Sequence, residues 1–372
     1  MKKIFFSVLA IAAIAACSKS EVQYADNSEI SLAPVSKIST KAAVVGTDYP
    51  DDLHMYVFAN AGLDGNKDNT VAESECSEEY LINAEFEHKN SHADNVFGGT
   101  TPYFWPNVKK LIFSGVSKSG NVNNGITPTY TWNTRGETSA WEINLTGYTP
   151  GKGTTTEGDN DLMWFPTTRP YGKDDVSGVN DAEIEVTMQH ACAWVTININ
   201  GDAVTGVAGD DAWKVTEVKF NNLVQIGDVK LGENAVWTIF DPAAPTDDQK
   251  TPLPVYASTG KSLTALTTTD GKKTGYTDYT KLGMTDLVVI PQTTKTLSVT
   301  YQFVSQKADD GAGRDIVISE TKEIPLTYTS GNTWDAGKHY IYNIIIGTQE
   351  ILVEPSVADW TPENGLVEDK EF

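Results

Sequence analysis

The chain has 372 residues, 40% hydrophobic and 21% charged, which is enough apolar material for a folded core and too little charge for a disordered chain. Fifty acidic against 28 basic residues leave a formal charge of −22, a surface that repels phosphate backbones and argues against a nucleic-acid partner. Three cysteines and three arginines (Arg135, Arg169 and Arg314) exclude a disulfide scaffold and an arginine cluster for phosphate or carboxylate recognition.

The chain opens on an export signal. Met1-Lys2-Lys3 is a positive start, and Ile4 to Ile14 is an apolar run broken only by Ser7. That run is too short to span a bilayer and reads as the core of a signal peptide. It ends in Ile14-Ala15-Ala16-Cys17, which resembles the bacterial lipobox, so residues 1–17 are expected to be a lipoprotein signal peptide and Cys17 the lipidated residue. Acyl chains on that cysteine would anchor the protein at ~0.8 kcal/mol per buried methylene. No later apolar run approaches membrane-spanning length, so the rest is expected beyond the inner membrane. Cys76 and Cys192 remain, free to pair in that oxidising space or to stay as buried thiols.

Beyond the signal, short runs alternate apolar and polar residues between Gly, Asn, Asp and Pro clusters. In chain order they are Leu53–Phe58, Lys110–Phe113, Glu183–Met188, Trp194–Ile199, Lys214–Phe220, Asp286–Ile290, Leu297–Phe303, Tyr340–Ile346 and Ile351–Val353. Period two between turn residues predicts half-buried antiparallel strands and an all-β sandwich or barrel. The one helix-compatible stretch is Val71–Glu87, rich in Glu and Ala. Thr149–Asn160 and Asp241–Lys250 read as loops, and a polar run ending near Ser177 to Asp181 marks the expected break between domains. The expected division is therefore a leader at 18–41, an N-terminal domain at 42–181 and a C-terminal domain at 182–372.

No catalytic constellation emerges. Ala257-Ser258-Thr259-Gly260-Lys261-Ser262 has the tail of a phosphate loop, but Val255 stands where the first glycine belongs. Gly115-Val116-Ser117-Lys118-Ser119-Gly120 is one residue too long for a nucleophile elbow. His88 and His92 have zinc-ligand spacing, yet Lys89-Asn90-Ser91 between them lacks the glutamate a metalloprotease uses as base. Asp64 to Glu75 follows the twelve-position calcium-loop plan, with Asn69 replacing the glycine of the sharp turn. A solvated acidic loop is the simpler reading of that segment. No catalytic residue, metal ligand or cofactor site is assigned, and an enzyme is not expected.

Several landmarks together resemble the fimbrillin family, the lipoprotein precursors of type V pili and related surface fibres. They are Tyr103-Phe104-Trp105-Pro106 before the strand Leu111–Phe113, then Asp161-Leu162-Met163, then Met188-Gln189-His190-Ala191-Cys192-Ala193-Trp194-Val195. Ile290-Pro291-Gln292 precedes the strand Leu297–Tyr301, and Trp334-Asp335-Ala336-Gly337-Lys338-His339-Tyr340 leads to a terminal Asp359-Trp360-Thr361. Trp105, Trp194 and Trp334 are expected to be packing residues, and His190 a satisfied core histidine.

The resemblance implies two tandem transthyretin-like antiparallel β-sandwich domains exported as a lipid-anchored precursor. It further implies that a trypsin-like protease cuts after a basic residue and removes the leader with its first strand. An extended segment from another copy, or from a related pilin, would then fill the vacated groove. Here the leader carries the strand-compatible Ile30-Ser31-Leu32-Ala33 and ends at Lys41, before Ala42-Ala43-Val44-Val45-Gly46. The family typically offers arginine at the cut, whereas the basic residues here are Lys41 and, alternatively, Lys37. Ile351–Glu354 and Ser356–Trp360, separated by Pro355, could be the donor tail or simply a last strand in their own sheet. The function expected is a structural subunit of an outer-membrane-associated surface fimbria that supports adhesion. A tip or anchor subunit and a surface glycan-binding lipoprotein of a polysaccharide-uptake system are the alternatives.

Overall fold

The structure, a computed structural model, describes residues 24–34, 54–63, 76–88, 96–106, 109–118, 128–135, 138–150, 161–172, 183–201, 213–221, 223–224, 226–239, 253–262, 267–269, 272–274, 287–306, 316–328, 331–347 and 351–359. These residues form strands and turns and no helix, so the all-β expectation holds. The largest sheet has eight strands. From edge to edge they are Glu183–Val186, Ser31–Pro34, Phe97–Gly99, Glu78–His88, His54–Leu63, Lys109–Lys118, Met163–Phe165 and Gln189–His190. A four-stranded sheet follows the order Ala235–Ile239, Gly227–Leu231, Thr138–Tyr148 and Thr129–Arg135. Two further four-stranded sheets face each other. One orders Leu287–Val289, Ala193–Gly201, Lys338–Ile346 and Ile351–Asp359, the other Leu253–Ser262, Trp213–Asn221, Thr296–Gln306 and Ile316–Pro325. Pairing is antiparallel except in two places, where Glu183–Val186 runs parallel to Ser31–Pro34 and Ala193–Gly201 parallel to Lys338–Ile346.

The alternation read from sequence explains which face each strand buries. Met55, Val57 and Ala59 join one apolar cluster and Phe58, between them, joins another, so the eight-stranded sheet is covered on both sides. The first cluster comes from that sheet's own strands with Trp105 and Met188 beside them. The second lies against the sheet built on Thr138–Tyr148, through Trp141, Ile143 and Leu145. A third fills the sandwich of the two facing sheets, with Trp213, Phe220, Trp334, Tyr340 and Tyr342 among its members. Trp105, Trp194 and Trp334 are all buried packing residues.

One sequence expectation meets a different arrangement. Val71–Glu87 is not helical where it is described, since Glu78–His88 is a strand against His54–Leu63. Leu81, Ala84 and Phe86 are buried along it, and Asn83 takes a positive φ of 49° where the pairing is irregular. Cross-strand burial outweighs the modest helix preference of Glu and Ala. The division expected between residues 181 and 182 is not a division of hydrogen bonding. Glu183–Val186 and Gln189–His190 close the two edges of the eight-stranded sheet, and Gly227–Leu231 pairs with Thr138–Tyr148.

The connector that leaves the first sheet is held from several directions. Ala191 N–H donates to Leu162 O at 2.7 Å, and the Trp237 indole donates to Ala191 O at 2.7 Å. Gly337, at a φ of 69° that favours glycine, donates its N–H to Cys192 O at 2.8 Å. His190 Nδ1 lies 2.5 Å from Asp161 Oδ2, with both side chains almost fully buried. Removing one partner leaves the other as a buried unsatisfied polar group, at a cost of about 1–3 kcal/mol. Cys76 and Cys192 are both buried and form no disulfide with each other. Burial and the Asp161 carboxylate push the Cys192 thiol well above its ordinary range.

His339 stacks on Trp194 at 3.5 Å between ring centroids, and its Nε2 lies 2.9 Å from Thr196 Oγ1. Burial lowers its pKa to about 3. The native state therefore keeps this ring neutral while the unfolded chain protonates it below about pH 6.5. Stability from this group is full above that value and falls by up to ~1.4 kcal/mol per pH unit on acidification, until the loss is complete near pH 3. Thermal unfolding of the wild type and of His339→Gln, followed from pH 7 to pH 3, should show the smaller acid loss in the variant. Parallel curves would contradict this assignment.

Candidate functional site

The leader supplies a strand to the middle of a sheet edge. Ser31–Pro34 pairs in parallel with Glu183–Val186, placing Ser31 beside Glu183, Leu32 beside Ile184, Ala33 beside Glu185 and Pro34 beside Val186. On its other side it pairs antiparallel with Phe97–Gly99, Ser31 opposite Gly98 and Leu32 opposite Phe97. Ile30 N–H donates to Tyr103 O at 2.7 Å, and the preceding strand Tyr24–Glu29 runs beside Phe104–Pro106. The Tyr103-Phe104-Trp105-Pro106 landmark is thus the wall against which the leader lies.

Among the described residues, Glu183–Val186 has no strand partner besides the leader. Ile30 and Leu32 are 1% and 0% exposed and belong to the same apolar cluster as Phe97, Trp105, Ile184 and Val186. Burying two such side chains contributes about 1.5–3 kcal/mol each. Ser31 and Ala33, of opposite parity, are half-buried. Gly99 permits the tight wall here, because a Cβ at that position would stand 2.3 Å from Thr101 O and 2.5 Å from the Tyr103 ring. The site is a four-residue slot with two hydrogen-bonding rims and an apolar floor. Its chemistry is recognition of extended backbone with an apolar residue at every second position.

The sheet edges elsewhere differ in how they meet solvent. On the edge strand Ile316–Pro325, Glu320 lies opposite Tyr301 and Lys322 opposite Val299, and both charged side chains are exposed. Lys322 Nζ lies 3.0 Å from Glu320 Oε2, and the Tyr301 hydroxyl donates to the same carboxylate oxygen at 3.1 Å. Burial, then Glu320, raises the Tyr301 pKa to about 12. Exposed charges on an edge strand discourage addition of another strand. The last strand, Ile351–Asp359, is an edge of another character. It pairs over its whole length with Lys338–Ile346, from Ile351 opposite Ile346 to Asp359 opposite Lys338. Ile351 and Val353 are partly buried against the core, while Leu352 and Val357 are 37% and 42% exposed.

Cys17, Lys37, Lys41, Ala42, His92 and the loop Asp64–Glu75 lie outside the described residues. His88 ends a strand, opposite Phe97, and Ala257–Ser262 lies within the strand Leu253–Ser262, paired to Trp213–Asn221. An extended paired strand cannot wrap a phosphate. The remaining landmarks are joints. Gln292, buried, accepts from Val224 N–H and donates to Val224 O and Ile290 O. The Trp334 indole donates to the Tyr342 hydroxyl at 2.9 Å. Alternation marked Ile30–Ala33 as strand-compatible, but no local signal identifies Glu183–Val186 as its partner across some 150 residues.

Compared with known proteins, residues 40–360 match the sequence model of a family described as Fimbrillin-like. The chain belongs to the fimbrillin-like family. Among solved structures it is similar to a fimbrial protein from Bacteroides vulgatus, with 17% identity and a TM-score of 0.56, covering 82% of this chain and 93% of that one. It is also similar to a candidate cell adhesion protein from Bacteroides uniformis, with 14% identity and a TM-score of 0.50, covering 90% of this chain and 98% of that one. At these identities the likeness is one of fold. Curated proteins yield no match. Membership supports a structural component of cell-surface fimbriae.

Leu32→Ala should weaken the leader's hold by about 2–5 kcal/mol. Release of the N-terminal segment from the folded precursor by limiting protease should be faster in the variant, and an unchanged rate would contradict the slot as described.

Proposed function

We propose that this fimbrillin-like chain is a polymerising pilus subunit built as two tandem β-sandwich domains. It is exported as a lipoprotein acylated on Cys17, attached to the outer membrane, and activated by a trypsin-like protease that cuts at Lys41, before Ala42, or at Lys37. The cut frees the leader strand, and an extended segment of another copy or of a related pilin takes its place. The observation that carries this reading is the slot itself: the leader is the only strand seated against Glu183–Val186 among the described residues, over an apolar floor. Removing Ser31–Pro34 would expose the rims of Phe97–Gly99 and Glu183–Val186 together, the condition that favours strand addition.

A second reading has a specific observation behind it. The last strand is fully paired in its own sheet, as it would be in a tip or anchor subunit that accepts a strand or retains its lipid and does not donate. Intact mass and N-terminal sequencing of the surface protein, with a gel of boiled and unboiled samples, separate these readings. The stalk reading expects an N-terminus at Ala42 and a ladder that collapses on boiling. A lipidated Cys17 terminus on a monomer would overturn it and favour the anchor.

A further inference from the structure

Asn60 lies on a central strand of the eight-stranded sheet and is 0% exposed. Among the described residues, neither its amide nitrogen nor its amide oxygen has a hydrogen-bond partner. Each buried polar group left unpaired costs about 1–3 kcal/mol. Met55, Val57, Ala59 and Ala61 face one apolar cluster, so Phe58 and Asn60 look to the other side of the sheet. Ile112 is directly opposite Asn60, and Lys110, opposite Gly62, is the next residue on that same face. Lys110 is only 6% exposed, an unusual burial for a lysine. Cys76 packs on Ile112, its thiol reaching Lys110 O at 4.0 Å, so buried groups shield this end of the face from water. On the other flank Asn60 pairs with Glu79, where the register shifts by a bulge. The Tyr130 hydroxyl donates to Glu79 Oε1 at 3.3 Å, and the Tyr130 ring lies 5.2 Å from that of Phe58, which places Glu79 on the face of Asn60. Lys109 and Glu78, one residue away on each strand, pair with each other on the opposite face.

We propose that Lys110 and Asn60 are joined by an isopeptide bond, with Glu79 carrying the protons. The three strands bring together an amine, a primary amide and a carboxylate on one face, and the reaction needs nothing else. Diagonal neighbours across an antiparallel pair stand about 7–8 Å apart at the backbone, a gap the flexible four-carbon lysine stem spans. Glu79 takes a proton from the Lys110 ammonium, and the freed Nζ lone pair attacks Asn60 Cγ. The carbonyl π electrons shift on to Oδ1 and return as the Cγ–Nδ2 bond breaks. Of the three ammonium protons, one stays on the new amide nitrogen and two leave with Nδ2 as an ammonium ion. Nothing is oxidised or reduced. Glu79 is exposed, so the leaving ion has a way out to solvent. The bond closes residues 60–110 into a covalent ring that includes Phe97–Gly99 and Phe104–Pro106, the strands against which the leader lies. A cross-link over so long a loop restricts the unfolded chain, and it holds whether or not the leader is in place.

Peptide mass mapping of the full-length chain, purified from cells that produce it and digested after boiling with reductant, tests the bond. We expect a branched peptide carrying both Asn60 and Lys110, lighter than the two linear peptides together by one ammonia. Lys110→Arg should yield both linear peptides at full mass. In freshly synthesised chain, Glu79→Gln, a change at an exposed position, should accumulate the branched peptide about 100-fold more slowly than the wild type. Only linear Asn60 and Lys110 peptides in the wild type would overturn the bond, as would an ammonia loss confined to the Asn60 peptide. A branched peptide that forms equally fast in Glu79→Gln would overturn the part given to Glu79 while the bond stands.

Discussion

One edge of the eight-stranded sheet is closed by a single parallel pairing, that of Ser31–Pro34 with Glu183–Val186. A parallel neighbour so distant in sequence cannot be reached by a tight turn, and closing so long a connection costs more chain entropy than a hairpin does. The strand Tyr24–Glu29 lies against Phe104–Pro106, and Ser31–Pro34 after it is held on both sides, by Glu183–Val186 and by Phe97–Gly99. Its four residues are held by two buried aliphatic side chains and two hydrogen-bonded rims, a modest grip for a segment that closes so much apolar surface.

The same logic explains why the family landmarks are spread along the chain. Each is a joint between elements far apart in sequence. Tyr103–Pro106 walls the leader, Asp161 meets His190, Gly337 meets the carbonyl of Cys192, and Gln292 ties Val224 to Ile290. The joints concentrate where the first sheet gives way to the second sandwich. The leader is itself such a joint, through Ile30 N–H to Tyr103 O, and the last strand is tied back by Lys338 to Asp359.

Local alternation made most of the strands legible, because a half-buried strand writes its period of two into the residues. Lys214–Phe220 and Leu297–Phe303 were readable for this reason. Ile316–Pro325 was not, since the exposed Glu320 and Lys322 interrupt the apolar period of this edge strand. Glu78–His88 looked helical because Glu and Ala carry no strand preference and because the irregularity at Asn83 interrupts the alternation. The sheet membership of Glu183–Val186 and Gly227–Leu231, which pair with Ser31–Pro34 and Thr138–Tyr148, rests on contacts that no local window contains. The leader's strand was visible in Ile30–Ala33, while its role as the sole strand partner of Glu183–Val186 among the described residues became visible only with the pairing.

Hydrogen exchange of the precursor and of the same protein after release of its leader measures the dependence directly. The account predicts that amides of Phe97–Gly99 and Glu183–Val186 are protected in the precursor and lose protection on release. Those of the facing sheets around Trp213–Asn221 and Lys338–Ile346 should stay protected throughout. Unchanged protection of both rims after the leader has gone would contradict the claim that it completes the sheet.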